Sequence, residues 1–179
     1  MTSPFPIFTP VPPGEFKGRA AIINTVCSQL TNSEWCSAAL VGGPFSGSTS
    51  LLRFMASPEG RVAYPDLAKS WNIFIAGDVF GLTATPGHFW SVCFTEIKRQ
   101  ADTAELSDLV VAMVEKTRTN NFDLFDLQDF FDACGKANRP VVLFISDFIN
   151  LLKNPQFWPP NDFFHLVRSL GQRTPRGLA

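Results

Sequence analysis

The chain has 179 residues, of which 45% are hydrophobic, so it can bury the core of one domain and is not a disordered tail. Its 15 basic and 16 acidic side chains are interspersed, give a formal net charge of −1 at pH 7, and form no basic stripe for nucleic acid or an anionic membrane. The sequence shows no signal peptide and no run of the roughly 20 apolar residues that a membrane helix needs. We therefore expect a soluble, cytoplasmic protein without a membrane partner.

Proline is the dominant feature of residues 1–15. Five prolines precede Gly14, and Phe5, Ile7 and Phe8 stand among them. Because proline interrupts both helices and central strands, these residues favour an extended conformation. We predict that residues 1–15 are an arm whose apolar side chains pack along the domain formed by residues 16–179.

Apolar residues at helical spacing alternate with short apolar runs along the rest of the chain. The patterns predict helices over residues 20–30, 49–56, 86–100, 104–117, 124–136 and 162–170, and strands over 38–41, 71–80 and 141–145. Such alternation indicates an α/β fold with a mainly parallel sheet.

The cysteines, histidines and regularly spaced aspartates do not point to a catalytic or metal site. Four cysteines lie far apart and are expected to be buried thiols: Cys27, Cys36, Cys93 and Cys134. The two histidines, His88 and His165, are expected to have no catalytic role. Four aspartates recur every three residues, which suggests a solvated helix face more strongly than a cation site: Asp123, Asp126, Asp129 and Asp132.

The glycine-rich segment of residues 42–49 (GGPFSGST) has the spacing of a phosphate-binding P-loop, GxxxxGK[ST]. Glycines let backbone N–H groups converge on a phosphate, and the following helix adds its positive N-terminal end. The candidate phosphate-binding residues are Gly42, Gly43, Gly47, Ser48, Thr49 and Ser50. Ser48 stands where the lysine belongs, and the Thr49 hydroxyl would hold magnesium. The simpler alternatives are a strand-to-helix turn at the glycines and helix capping by the hydroxyls.

A carboxylate follows the apolar run of residues 141–145. Asp147 lies at the carboxyl end of this predicted strand, where a P-loop NTPase positions magnesium. Phe148 occupies the next position, where many such enzymes have the glutamate that polarises the attacking water. Asp147 could instead cap the following turn. Two catalytic groups are therefore missing from an otherwise complete framework.

The chain resembles the STAND branch of AAA-type P-loop ATPases, found in bacterial multidomain regulatory and defence (conflict-system) proteins. The resemblance is carried in order along nearly the whole chain by residues 12–19, 40–53, 122–127 and 142–152. It implies a three-layer αβα domain that binds ATP or ADP with magnesium. It also implies that other domains or protein subunits are the partners, and it leaves open whether the chain forms an oligomer. By the same resemblance, Phe16, Gly18 and Arg19 would border the adenine base, although Arg19 could instead cap the end of the sheet.

Three functions stay open at this point. The first is a regulatory or scaffolding module that binds nucleotide weakly and does not hydrolyse it. The second is a slow ATPase completed by a basic residue from elsewhere, such as Arg53, Lys153 or a partner subunit. The third is a protein-interaction domain in which Pro44 and Phe45 fill the cradle, so that no cofactor binds.

The resemblance also implies a missing strand. In that family a strand that would follow Leu170 lies between the strand ending at Asp147 and the strand leading into Gly42. Since the sequence ends at Ala179, we expect the chain to be the N-terminal part of a larger domain. Leu40, Val142 and Phe144 would then be poorly covered.

Overall fold

The computed structural model describes residues 9–31, 38–43, 45–101, 104–157 and 163–173. These residues form a mixed α/β structure in which helices pack on a small parallel sheet. The expectation of an α/β fold with parallel strands is confirmed at this level. Phe5, Ile7, Phe8, Cys36 and Pro44 lie outside the described residues.

Eight α-helices lie within the described ranges. They are α1 Ala20–Thr31, α2 Ser48–Ala56, α3 Pro58–Ala63, α4 Pro86–Gln100, α5 Ala104–Arg118, α6 Leu124–Lys136, α7 Phe148–Lys153 and α8 Phe163–Arg173. The six helices predicted from the sequence are present, with ends shifted by a few residues at most. The sequence patterns missed the two six-residue helices, α3 and α7, because each is too short to show a helical period.

Two strands, β1 (Trp71–Ala76) and β2 (Val141–Ser146), form a parallel sheet in which Trp71 pairs with Val141 and Ala76 with Ser146. The strand predicted over residues 71–80 was longer, but the chain turns into a 3-10 helix at Gly77–Val79. A Cβ on Gly77 would lie only 2.5 Å from the Asp147 carbonyl oxygen, so glycine permits the close approach of the two strand ends.

The prediction of a strand over residues 38–41 is wrong. The structure assigns this segment no regular element, and the Val41 side chain is 96% exposed. Two of its four residues are alanines, which have low strand propensity. The segment is apolar, but its backbone joins neither β1 nor β2.

The two faces of the sheet enter different hydrophobic clusters. Trp71, Ile73 and Ile75 of β1 face a large aromatic cluster that includes side chains of α4, α5, α6 and α8. Val142 and Phe144 of β2 face a second cluster with side chains of α1 and α2. The expectation that Val142 and Phe144 are poorly covered is therefore wrong, because α1 and α2 bury them. Leu40 is half-buried against the same cluster.

The outer edge of β1 is closed by a side chain instead of a strand. Gln100, the last residue of α4, donates from Nε2 to the Asn72 carbonyl (2.8 Å) and accepts from the Asn72 N–H (3.2 Å). Arg61 of α3 donates to the same Gln100 oxygen at 2.6 Å. Gln100 thus takes the hydrogen bonds that an added strand would make to Asn72.

Candidate functional site

The glycine-rich loop leads directly into α2, as the sequence predicts. Gly47 is the N-cap residue of α2 and has left-handed backbone angles (φ 78°, ψ 16°), which glycine adopts without a steric penalty. The Ser46 N–H donates to the Gly43 carbonyl (3.1 Å), so part of the loop closes as a turn. A Cβ on Gly42 would lie 2.8 Å from the Ser46 Cβ. Gly42 and Gly47 therefore occupy positions at which a residue with a side chain would clash or would strain the backbone.

The first turn of α2 lacks the side-chain cap seen elsewhere in the chain. The N-cap residues of α4 and α6, Thr85 and Asp123, each accept a hydrogen bond from a backbone N–H of the first turn. Gly47 has no side chain to do so. Ser48 and Thr49 are half-buried in this turn, with their N–H groups at the positive end of the helix.

Ser50, the third hydroxyl residue of the candidate loop, is engaged in packing. It is buried, and its Oγ accepts a hydrogen bond from the Val11 N–H (2.9 Å). The segment before Arg19 therefore contacts α2 at this point. A second contact follows, since the Phe16 ring stacks on Phe54 with centroids 4.9 Å apart and planes 21° apart. One face of Phe16, expected to border a base, is used for this stack.

The carboxyl end of α2 is joined to α3, and Arg61 of α3 reaches the start of β1 through its hydrogen bond to Gln100, which bonds Asn72. The Arg53 guanidinium lies 5.1 Å from the centroid of Phe74, in the middle of β1. The chain that leaves α2 passes through α3 to a 3-10 turn at Leu67–Lys69, which leads into the start of β1. We infer from this path that the first turn of α2 and the glycine-rich loop lie toward the carboxyl ends of β1 and β2.

Arg19 reaches the glycine-rich loop from a distant part of the sequence. Its Nη2 donates to the Ser46 carbonyl, and a Cβ on Gly47 would lie 3.7 Å from the same atom. The Arg19 backbone is left-handed (φ 57°), as is that of Gly18 (φ 91°). The Arg19 carbonyl accepts from the Ile23 N–H (3.1 Å) and so begins α1. The N-terminal ends of α1 and α2 thus meet at this side chain.

Asp147 and Phe148 lie where β2 ends. Asp147 is exposed, has left-handed backbone angles (φ 50°, ψ 38°), and does not cap α7 with its side chain. Phe148 is partly exposed and contacts the Phe164 ring (centroids 5.3 Å apart). No hydrogen bond among the described residues joins Asp147 to Thr49, the two expected magnesium ligands.

Ser146, the last residue of β2, is a polar group that the sequence patterns did not single out. It is 4% exposed, and its Oγ has no hydrogen-bond partner among the described residues. Because side chains alternate along a strand, Ser146 lies on the same face as Val142 and Phe144, which α2 covers. A buried hydroxyl without a partner is uncommon in folded proteins.

The remaining candidate groups have structural surroundings. The described residues hold no group of three or more His, Cys, Asp or Glu side chains that could bind a metal ion. Asp123 and Asp126 form a capping box at the start of α6, and Asp126 also accepts from Lys116 (2.5 Å). Burial raises the pKa of the Cys134 thiol to about 12 and also raises that of Cys93. These thiols are expected to be unreactive.

The chain matches no known protein family, no curated protein and no solved structure. Within the described residues, no helix is long and apolar enough to cross a membrane.

Proposed function

We propose that this chain is a degenerate STAND-like P-loop module of three-layer αβα architecture. It binds the phosphates of ATP or ADP weakly at the loop of residues 42–49, and it acts as a regulatory or scaffolding domain for other domains or protein subunits. The observation that carries the proposal is the uncapped first turn of α2, preceded by a left-handed Gly47. Backbone N–H groups at such a helix end favour an anion.

The exposure of the Phe45 side chain supports a loop that is accessible to a ligand. If Phe45 filled the cradle, its ring would be buried against the loop. Its side chain is instead 75% exposed. This exposure favours a binding loop over the filled form of the domain.

Hydrolysis is not part of the proposal. A lysine bond to a phosphate contributes about 1.5–3 kcal/mol to binding, so affinity survives its loss in part. In phosphoryl transfer, positioned cations and water-orienting groups account for several orders of magnitude in rate. Ser48 and Phe148 stand in the places of two such groups. Binding can therefore outlast catalysis in this chain.

Calorimetric titration with ATP and ADP, with and without magnesium, tests the proposal. We expect weak binding by the natural chain and binding about tenfold tighter or more by Ser48→Lys, because the lysine restores one charge-assisted hydrogen bond. Binding by neither protein would refute the proposal. A steady-state hydrolysis rate within tenfold of an ordinary P-loop ATPase, abolished by Thr49→Ala, would favour the slow-ATPase alternative.

The three-layer architecture requires more strands than the described residues contain. The strand register favours the outer edge of β2 as the place where they would join. The Trp71 N–H donates to the Pro140 carbonyl (2.9 Å), so the N–H and C=O groups of Val141, Leu143 and Ile145 point away from β1. On the other edge of the sheet, Gln100 bonds the backbone of Asn72. Amide hydrogen exchange that is equally slow at Leu143 and Phe144 would show that the β2 edge is already paired, against this arrangement.

One observation favours the alternative of a protein-interaction domain without nucleotide. Apolar side chains are exposed on α7 and on the neighbouring 3-10 helix, namely Val79, Phe148, Ile149 and Leu152. Clustered exposed apolar groups are typical of contact surfaces. Loss of partner binding on Ile149→Ser, in a chain that binds no nucleotide, would select this alternative.

A further inference from the structure

We infer that Arg19 supplies the positive charge that this loop lacks at Ser48, and that its guanidinium binds the phosphate chain of a nucleotide. The inference rests on the proposed function and names the group that makes phosphate binding feasible without the lysine. It also gives Arg19 a different role from the base contact that the family resemblance implies.

The position of the guanidinium is the first argument. Arg19 bonds the carbonyl of Ser46, the residue before the N-cap of α2, and lies within contact distance of the space beside Gly47. A lysine at position 48 would project from the first turn of the same helix. Arg19 therefore brings a cation to the same end of α2, although it lies 27 positions before Ser46 in the chain.

The charge balance at this place is the second argument. Two helix N-termini, those of α1 and α2, meet at Arg19, and each carries a partial positive charge. No carboxylate of the described residues forms an ion pair with Arg19; the described ion pairs lie elsewhere. The guanidinium is exposed and bonds a neutral carbonyl. Positive charge without a counter-charge attracts an anion, and the planar guanidinium suits phosphate oxygens.

Ser146 provides an independent indication of a ligand. Its hydroxyl is buried at the carboxyl end of β2, on the sheet face that α2 covers, and finds no hydrogen-bond partner within the described part of the chain. The first turn of α2 and the loop lie toward this same end of the sheet. A phosphate or its hydration water at the loop would satisfy a group that has no partner among the described residues.

Arg53 and Lys153, which the sequence offered as substitute cations, fit less well. The Arg53 guanidinium packs over the Phe74 ring, beyond the middle of α2. Lys153 is the last residue of α7, and no hydrogen bond or ion pair among the described residues joins it to the loop. Arg19 is the basic side chain that the described structure brings to the loop.

The test is calorimetric titration of the full chain with ATP, inorganic triphosphate and adenosine. Arg19→Asn is the principal variant, because asparagine tolerates the left-handed backbone and can begin a helix but carries no charge. Lys17→Asn is the matched control, since it removes the same charge from an exposed side chain two residues away. Thermal unfolding of each variant verifies that it is folded.

We expect Arg19→Asn to weaken binding of ATP and triphosphate by about 10- to 100-fold, the range of one charge-assisted hydrogen bond, and to leave adenosine unaffected. Lys17→Asn should change ATP affinity by less than about threefold, because an exposed charge is largely screened. Adding Ser48→Lys to Arg19→Asn should restore ATP affinity.

Two results would overturn the inference while leaving the proposed function in place. One is ATP affinity that does not change on Arg19→Asn. The other is an equal loss for adenosine and ATP, which would place Arg19 at the base. Absence of any ATP or triphosphate binding by the natural chain would refute the proposed function, and this inference with it.

Discussion

The hydrogen bonds between Gln100 and the edge of β1 lead to a quantitative prediction for stability. Asn72 is 1% exposed, so Gln100→Ala would leave its buried N–H and C=O groups without their partners. Each such loss costs about 1–3 kcal/mol, and partial access of water to the new space reduces the sum to about 2–3 kcal/mol. At about 2–4 °C per kcal/mol for a chain of this size, the midpoint of thermal unfolding should fall by about 4–12 °C.

Gln128→Ala is the matched control for this prediction. Gln128 lies on α6 and is half-buried, and the same atoms are removed there from a side chain without a described hydrogen bond. Its effect should stay within about 0.5 kcal/mol. Urea unfolding followed by circular dichroism measures both variants. Equal free energies of unfolding for Gln100→Ala and Gln128→Ala would show that the amide does not bond the strand.

Three further predictions concern other defined side chains. Burial raises the pKa of the Cys93 thiol, so iodoacetamide should label Cys93 only after denaturation, and rapid labelling of the native protein would contradict this burial. The hydrogen bond from Lys116 lowers the pKa of the Asp126 carboxyl in the folded protein. The pair therefore stabilises the fold at pH values above the unfolded-state pKa of Asp126, and this stabilisation is lost as the pH falls through the lower folded-state pKa. Lys116→Met should therefore raise the Asp126 pKa in an NMR titration, and an unchanged value would refute the pairing. A Cβ on Gly77 would lie 2.5 and 2.7 Å from two backbone oxygens at the end of β2, so Gly77→Ala should cost about 1–3 kcal/mol in urea unfolding. Gly81→Ala, which enters open space, should cost much less, and equal costs would rule out the close approach.

The elements that the sequence predicts well are those whose signals agree with one another. For α6, an aspartate at the N-cap, an apolar period and a closing lysine all indicate the same boundaries, and the structure begins and ends this helix at Leu124 and Lys136. For β2, an unbroken apolar run matches a strand that is covered on both faces. Local signals suffice where local and tertiary preferences coincide.

The segment 38–41 shows where local signals fail. An apolar run indicates burial, but whether it becomes a strand depends on a partner edge that sequence spacing does not reveal. The loop after it illustrates the opposite case. The glycine spacing predicted a turn into a helix here, and the structure forms that turn with a left-handed Gly47, a conformation that few other residues adopt. The contact between Arg19 and Ser46 was not predictable, because it depends on how left-handed residues at positions 18 and 19 direct a side chain across the fold.

The position of Arg19 in the chain bears on how nucleotide binding and partner binding would influence each other in the proposed module. A lysine within the loop would move with α2. Arg19 instead belongs to the segment that begins α1. The residues just before it contact α2 through Val11 and Phe16. Under the proposed function, phosphate binding and the docking of residues 11–19 on α2 would share one side chain. Coupling between two such events is reciprocal. A partner that displaces residues 11–19 would lower nucleotide affinity, and bound nucleotide would oppose that partner by the same factor. A module without hydrolysis can then still respond to nucleotide, because the response requires only differential binding.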